Sequence, residues 1–316
     1  MATTITETAG AVQTIDSRSI APRSRLSNFW RVWKHKPMGL IGAALVVIMV
    51  LVAVVAPWIA PNAPGDFVGR RLESPSAQLP LGTDSLGRDV LSRTIYGAQI
   101  SIAVGISAAT IAVLSGSFFG IISGYAGGAI DMLVQRALEV LASFPGIVLA
   151  LILISILGRP DASGGSVFQA AWELRGLEVA IAVSLIFGNM RVIRAAVLRE
   201  RNLPYIEAAR SIGCPTSRIL MKHVLPNVMP YMIVAFSSVI GTVILIEASL
   251  SFLGYGVSSG TPSWGGDLSS RNREFFTIAP WLMIGPGVAL SLTVLGYNFL
   301  GDALRDILDP RLRGSR

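Results

Sequence analysis

The sequence predicts an all-α membrane protein with six transmembrane helices and both termini cytoplasmic. Three observations carry that expectation. Of 316 residues, 52% are apolar and 14% charged, and the mean hydropathy is +0.61. The polar surface needed to cover two or three soluble domains is missing, which excludes a water-soluble globular protein. Stretches free of Asp, Glu, Lys and Arg recur at bilayer-spanning length. The basic residues between them fall mainly on one side. A formal charge of +7 and a pI near 10.1 therefore point to basic loops at the cytoplasmic face, not to nucleic acid.

In chain order the charge-free stretches are Pro37 to Gly65 (29 residues), Thr94 to Ile130 (37), Val140 to Gly158 (19), Val179 to Met190 (12), His223 to Ile246 (24) and Phe275 to Gly301 (27). A helix rising about 1.5 Å per residue needs about 20 residues to cross the hydrocarbon core, so all but the fourth suffice or nearly so. The fourth spans if Gly176 to Glu178 lie at one interface while Arg191 and Arg194, on one helix face, snorkel to the other. The first span, Gly39 to Ala60, ends in Ala56-Pro57-Trp58-Ile59-Ala60-Pro61 without a small-residue cleavage signature, so it is expected to be a retained anchor. Ahead of it, Trp30, Arg31, Trp33, Lys34 and Lys36 suit an interfacial segment on the inner leaflet. An unstructured basic tail is the alternative for the residues before Asn28.

With the amino terminus inside, the inner segments hold 18 Lys and Arg and the outer segments 8, which sets both termini in the cytoplasm. The organisation is then a tail and interfacial segment at 1–38, a first span at 39–60, an extracytoplasmic loop at 61–97, a five-helix core at 98–303 that includes a cytoplasmic loop at 199–226, and a tail at 304–316. The first outer loop is broken by Pro61, Pro64, Pro75 and Pro80, with a helix leading into the second span from Val90. A second outer loop, Arg159 to Arg175, is Gly/Ser-rich around Ser163 to Ser166.

Gly116, Gly120, Gly124 and Gly128 recur every four residues from the second span onward and would line one face, letting another helix approach closely; a pore-lining stripe is the alternative. Pro145 in the third span and Pro286 in the sixth predict kinks or local breaks. Cys214 is the single cysteine, which excludes an intramolecular disulfide. With only His35 and His223 besides, a metal site is poorly supplied.

The cytoplasmic loop from Arg191 to about Asn227 is the most informative segment. Pro204 suits the first turn of a helix, Gly213 its end, and Pro215 bars continuation, so a short helix is predicted over Pro204 to Ile212. Within it Tyr205, Ala208, Ala209 and Ile212 are expected on one face, with Glu207 and Arg210 on the other. Thr216 is expected to cap a second short helix that Pro226 terminates. Such an elbow either docks a partner or rests as an amphipathic hairpin on the lipid.

Here the residues carry a resemblance. Glu207-Ala208-Ala209, Gly213 four residues on, and Leu225-Pro226-Asn227 resemble the EAA loop of inner-membrane subunits of binding-protein-dependent ABC importers. His223 stands where the family pattern has an aliphatic residue, as in peptide-permease members. Leu81-Gly82-Thr83-Asp84, Gly87-Arg88-Asp89-Val90-Leu91-Ser92-Arg93, Glu247-Ala248-Ser249-Leu250-Ser251-Phe252-Leu253-Gly254, Asn298-Phe299-Leu300-Gly301-Asp302 and Leu304-Arg305-Asp306 are similar to the C-type permease subunit of dipeptide and oligopeptide importers. The likeness covers roughly residues 28 to 313.

The resemblance implies a type I ABC importer permease in the bacterial inner membrane, passing peptides and forming half of a translocation path. A paralogous permease, two cytoplasmic ATPase subunits and an extracytoplasmic binding protein would complete it. The loop would be the coupling helix: Glu207 would meet a basic group of the ATPase, Ala208 and Ala209 would allow close approach beside Arg210, Gly213 would make the bend, and Leu225-Pro226 would close the motif. Family members carry dipeptides, longer peptides, glutathione and nickel chelates, with selectivity set largely by the binding protein.

No cofactor is expected on this chain, and ATP with Mg would sit on the partner ATPases. The only lysines are Lys34, Lys36 and Lys222, and none follows the glycine that a phosphate-binding loop requires. Gly256-Val257-Ser258-Ser259-Gly260 matches a hydrolase elbow, but both histidines are expected on the opposite side of the membrane, so no triad can form. Asp84, Arg88, Asp89 and Arg93 are expected either to pair at the outer surface or to help receive the binding protein. Glu247, Ser249 and Asn298 are gate or path candidates. A charge at mid-bilayer costs about 2.5 to 3.5 kcal/mol, yet Glu247 comes 20 residues after Asn227, which puts it near the outer interface and favours hydrogen bonding over proton coupling. Two other readings stand beside the importer: an ion-coupled secondary transporter using Glu247 or Asp302, and a membrane assembly protein without transport.

Overall fold

Helix α1 (Pro37–Ile59) opens on a proline, whose missing N–H costs nothing in a first turn. In the computed structural model, which describes residues 36–157, 175–257 and 260–308, most of its surface is exposed and apolar, including Val47, Ile48, Leu51 and Val54. An apolar helix of 23 residues with so little buried belongs in lipid. The interfacial segment around Arg31, the loop around Ser163, the Ser258-Ser259 pair and the tail beyond Leu308 lie outside the described residues.

Helix α2 (Val90–Ala126) is the central pillar. Asp89 caps it, its carboxylate accepting from Leu91 N at 3.1 Å and Ser92 N at 3.2 Å. Thirty-seven residues make a helix of about 55 Å, longer than the hydrocarbon core. It ends at Gly127, whose φ of +67° suits glycine.

The third span starts earlier than the charge-free stretch from Val140 and is broken at Pro145. Helix α3 (Gly128–Ala142) and helix α4 (Gly146–Leu157) meet at 88°. Pro145 lacks an N–H and disfavours the helical conformation at Phe144, so of the expected kink or local break the structure shows the break. Helix α5 (Arg175–Arg201) is unbroken and apolar enough to span. Its Arg194 is not a lone cation. It grips Asp131 of α3, with Nε and Nη2 at 2.7 and 2.6 Å from the two carboxylate oxygens.

Helix α6 (Pro204–Ser211) and helix α7 (Thr216–Ile219) form the elbow. Pro226 terminates neither of them. A π-helical turn (Leu220–Val224) passes directly from α7 into α8 (Leu225–Phe252), and the apolar run Thr216–Phe252 is one span of 37 residues. The wider turn ahead of Pro226 accommodates a ring that would otherwise strike the carbonyl four residues back. Nor does Thr216 cap: Pro215 holds that position and no side chain supplies the bond.

After the short helices α9 (Trp264–Asp267) and α10 (Ser270–Arg273), α11 (Trp281–Leu308) forms the last span. It starts six residues later than its charge-free stretch, and it runs through Pro286 without a break. Gly42 of α1 and Gly296 of α11 lie at their crossing, where a Cβ on Gly42 would come within 2.7 Å of Leu300 N. Among the described residues five helices are thus long and apolar enough to cross a membrane, and the bent α3–α4 pair supplies a sixth candidate. Among the described residues extended structure is limited to two isolated bridges, Phe67 with Arg88 and Thr83 with Asp89.

The glycine stripe closes the α2–α5 contact. A Cβ at Gly116 would lie 2.8 Å from Asn189 Cβ, at Gly120 2.8 Å from Met190 O, and at Gly124 3.0 Å from Arg194 O. This is close packing, not a pore wall. Gly128 does not belong to it: it sits past the break at Gly127, with open space around it.

Candidate functional site

The elbow sits where α2 and α5 end and α8 begins. Helix α6 starts on Pro204 and ends in a left-handed turn at Gly213, φ +78°. Cys214 N donates to Ala209 O at 3.0 Å and Gly213 N to Arg210 O at 2.9 Å, which satisfies carbonyls a helix end leaves open. Nothing lies within 4 Å of a Cβ at Gly213, so the requirement is its backbone angle.

The buried face differs from the expected one. Ile206 is fully buried and Ala209 half-buried against Ile193 and Val197 of α5, Ile219 of α7 and Val228 of α8. Ala208 and Ile212, predicted to share that face, point outward beside Glu207, and Ile212 is 85% exposed. Residues 206 and 209 are about 300° apart at 100° per residue, which is one face. Ile206 is the only aliphatic side chain larger than alanine in α6, and that is the signal the sequence offers. Arg210 leaves Glu207 and stacks its guanidinium 5.2 Å from the Tyr125 ring centroid. Leu225 is half-buried and Pro226 exposed.

Polar contacts that sequence reasoning missed secure the elbow. Glu200, buried one residue before the end of α5, accepts from the Tyr205 hydroxyl and from Asn227 Nδ2, the latter at 2.9 Å. Burial, and then the Glu200 carboxylate, push the Tyr205 phenol above its ordinary value of 10.0, so it remains a donor. Arg201 Nη1 closes the end of α2 by donating to Gly124 O at 2.8 Å and Tyr125 O at 3.1 Å. Asn227 comes directly after the Leu-Pro pair in sequence, but its side-chain partners lie 22 and 27 residues away, beyond the reach of local pattern.

The path candidates are not brought together. Glu247 is buried at the far end of α8, where Ser251 Oγ donates to Oε1 at 2.8 Å and Oε2 has no hydrogen bond. Ser249 is half-buried and returns its hydroxyl to Leu245 O at 2.7 Å. Asn298 is exposed on α11 near Gly241. At that same far end, Asp84, Arg88, Asp89 and Arg93 are buried. Arg88 pairs with Asp84 at 2.6 Å, and Arg93 with Asp267 at 2.5 Å. Pairing thus holds Asp84, Arg88 and Arg93, while Asp89 serves as the cap of α2.

Two family models match the chain. One, described as binding-protein-dependent transport system inner membrane component, covers residues 116–314. The other, described as the N-terminal TM domain of oligopeptide transport permease C, covers residues 24–75. Proteins named glutathione transport system permease protein GsiD, from Escherichia coli O6:K15:H31 and from Shigella boydii serotype 4, are each 39% identical over 294 residues, 92% of this chain and 92% of theirs. A crystal structure of an amino acid ABC transporter with histidines aligns over 70% of this chain and 93% of its own at 17% identity, with a TM-score of 0.43.

Proposed function

This chain belongs to the family of binding-protein-dependent transport system inner membrane components, and on that premise we propose that it forms half of the membrane path of an ATP-driven importer of peptide-type solutes. Membership makes it a multi-pass inner-membrane transport subunit and not an enzyme, working with an ATPase and a substrate-binding protein. It also displaces the ion-coupled carrier and the assembly protein as readings. The finer composition is our proposal: a paralogous permease completes the path, and two ATPase subunits carry the ATP and Mg on the cytoplasmic side. The glutathione permeases among its relatives favour a substrate of two or three peptide units.

The observation that carries the coupling role is the division of α6 into two faces. Ile206 and Ala209 are packed into the bundle, while Glu207, Ala208 and Ile212 face outward, exposed among the described residues. An exposed ion pair contributes about 0 to 1 kcal/mol, but a desolvated one needs a matched partner and discriminates strongly. Glu207 therefore suits a cleft with one basic group, and Ala208 permits the close approach such a cleft demands. ATP binding draws the ATPases together, the elbows move with them, and the path changes its exposure only by the difference in docking energy between the two states. The excess of Lys and Arg on this side supports a cytoplasmic elbow.

The test is purification in mild detergent with whatever accompanies the chain, and then reconstitution. An ATPase should be recovered and uptake of a labelled small peptide should depend on ATP. Glu207→Arg should release the ATPase while the chain still inserts. Recovery of the intact chain with no ATPase, or normal uptake by the Glu207→Arg complex, contradicts the reading.

A further inference from the structure

Three elements meet at one buried carboxylate. Glu200 closes the fourth span, Tyr205 stands in the first turn of α6, and Asn227 in the first turn of α8. The Tyr205 hydroxyl and Asn227 Nδ2 both donate to Glu200 Oε1. Asn227 Nδ2 also lies 2.9 Å from the Tyr205 oxygen and 2.9 Å from His223 O, while the His223 ring meets the Tyr205 ring edge-on at 5.9 Å. The neighbouring cations are committed elsewhere. Arg201 bonds the end of α2, and Arg199 lies over the Tyr231 ring at 5.8 Å. Among the described residues Glu200 takes part in no salt bridge.

We propose that Glu200 is the positioning residue that makes the elbow, the fourth span and the fifth span move as one body, so that displacement of the elbow reaches the membrane path. The inference rests on the coupling reading above but concerns a different face of the elbow. Apolar contacts such as those of Ile206 are non-directional and permit sliding, whereas a carboxylate oxygen shared by a hydroxyl and an amide fixes angle and register. A carboxylate is suited to this because it only accepts, and charge-assisted bonds are about twice as strong as neutral ones. Loss of the knot should leave α6 seated through Ile206 and docked through its outer face. What is lost is transmission.

The test uses the reconstituted complex of this chain with its partners and reads three quantities: ATPase recovered per chain, ATP hydrolysed, and peptide transported per ATP. In Glu200→Ala and Tyr205→Phe, ATPase recovery and basal hydrolysis should match the unaltered complex. Transport per ATP should fall about tenfold in Glu200→Ala, the size expected for loss of a part-buried charge-assisted bond, and by less in Tyr205→Phe. Glu200→Gln, which keeps an accepting oxygen, should restore most of it. Unaltered transport per ATP in both Glu200→Ala and Tyr205→Phe overturns the proposal, as does loss of the ATPase in both, which would make the knot a support for docking alone. If Glu200→Ala does not assemble, Tyr205→Phe, which removes one hydroxyl, decides by the same criteria. Glu207→Arg tests the underlying coupling reading separately, because it alters only the exposed face.

Discussion

The two ends of the bundle solve opposite problems with similar residues. At the far end, charges are turned inward: Asp84, Arg88, Arg93 and Asp267 are buried and paired, and Ser85 Oγ donates to Asn272 Oδ1 at 3.0 Å. These contacts knit the loop before α2 to the loop before α11, and the Trp264 indole adds a bond to Thr94 O at 2.9 Å. At the elbow end, Glu207 and Arg210 are exposed and the helix is held from beneath by Ile206 and Glu200. One end is closed on itself. The other keeps a charged and apolar face available, which is what a docking surface requires.

The largest expected effect lies at the closed end. Arg93→Ala leaves Asp267 buried without its cation, while Asp84 keeps Arg88, a loss of about 3 to 5 kcal/mol, and the melting temperature of the purified chain should fall sharply. Little change would mean that these charges are no more buried in the membrane than those of the elbow. Next is Gly120→Val, which drives a side chain into Met190 O from 2.8 Å and should cost about 1 to 3 kcal/mol by the same measurement. At the elbow the effects should appear in function before stability. Gly213→Ala meets a positive φ and should cost about 1 to 2 kcal/mol. Gly213→Pro should insert normally yet abolish ATP-dependent uptake, as read by membrane fractionation and transport assay.

The smallest effect concerns pH. The Tyr205 phenol is raised above its usual value in the folded chain, so its contribution is complete below that value and disappears as pH rises through the raised one. The difference in melting temperature between the unaltered chain and Tyr205→Phe should be constant from about pH 6 to 9 and shrink only above about 10. A difference that varies near neutrality would show that another group controls the knot.

The spans and the elbow are legible because both are written locally. Gaps between charges count residues against bilayer thickness, and Pro204, Gly213 and Pro215 fix the bend through backbone geometry. The glycine spacing announces a close helix approach for the same reason, but not that α5 makes it or that Gly128 stands apart. Charge spacing carries no direction, so it cannot separate a kink at Pro145 from a break of 88°. Pro226 misleads because a proline behind a π turn is tolerated without ending the helix, and α11 continues through Pro286 although it lies past the first turn. The inward face of α6 is marked in sequence by Ile206 alone, and a single aliphatic side chain in eight residues is too weak a pattern to outweigh Tyr205 and Ile212 before the packing of α5 and α8 is known. Arg93 and Asp267 are 174 residues apart, and only the fold brings them together.

The central claim is that the outer face of α6 is held by an ATPase while the far end of the bundle is not. Photo-crosslinking residues placed singly at Ile212, 85% exposed on the elbow, and at Phe67, 73% exposed at the far end, compare the two directly in intact cells. Capture of an ATPase subunit from position 212 and not from 67 is the predicted result; capture from 67, or none from 212 in an assembled complex, would contradict it.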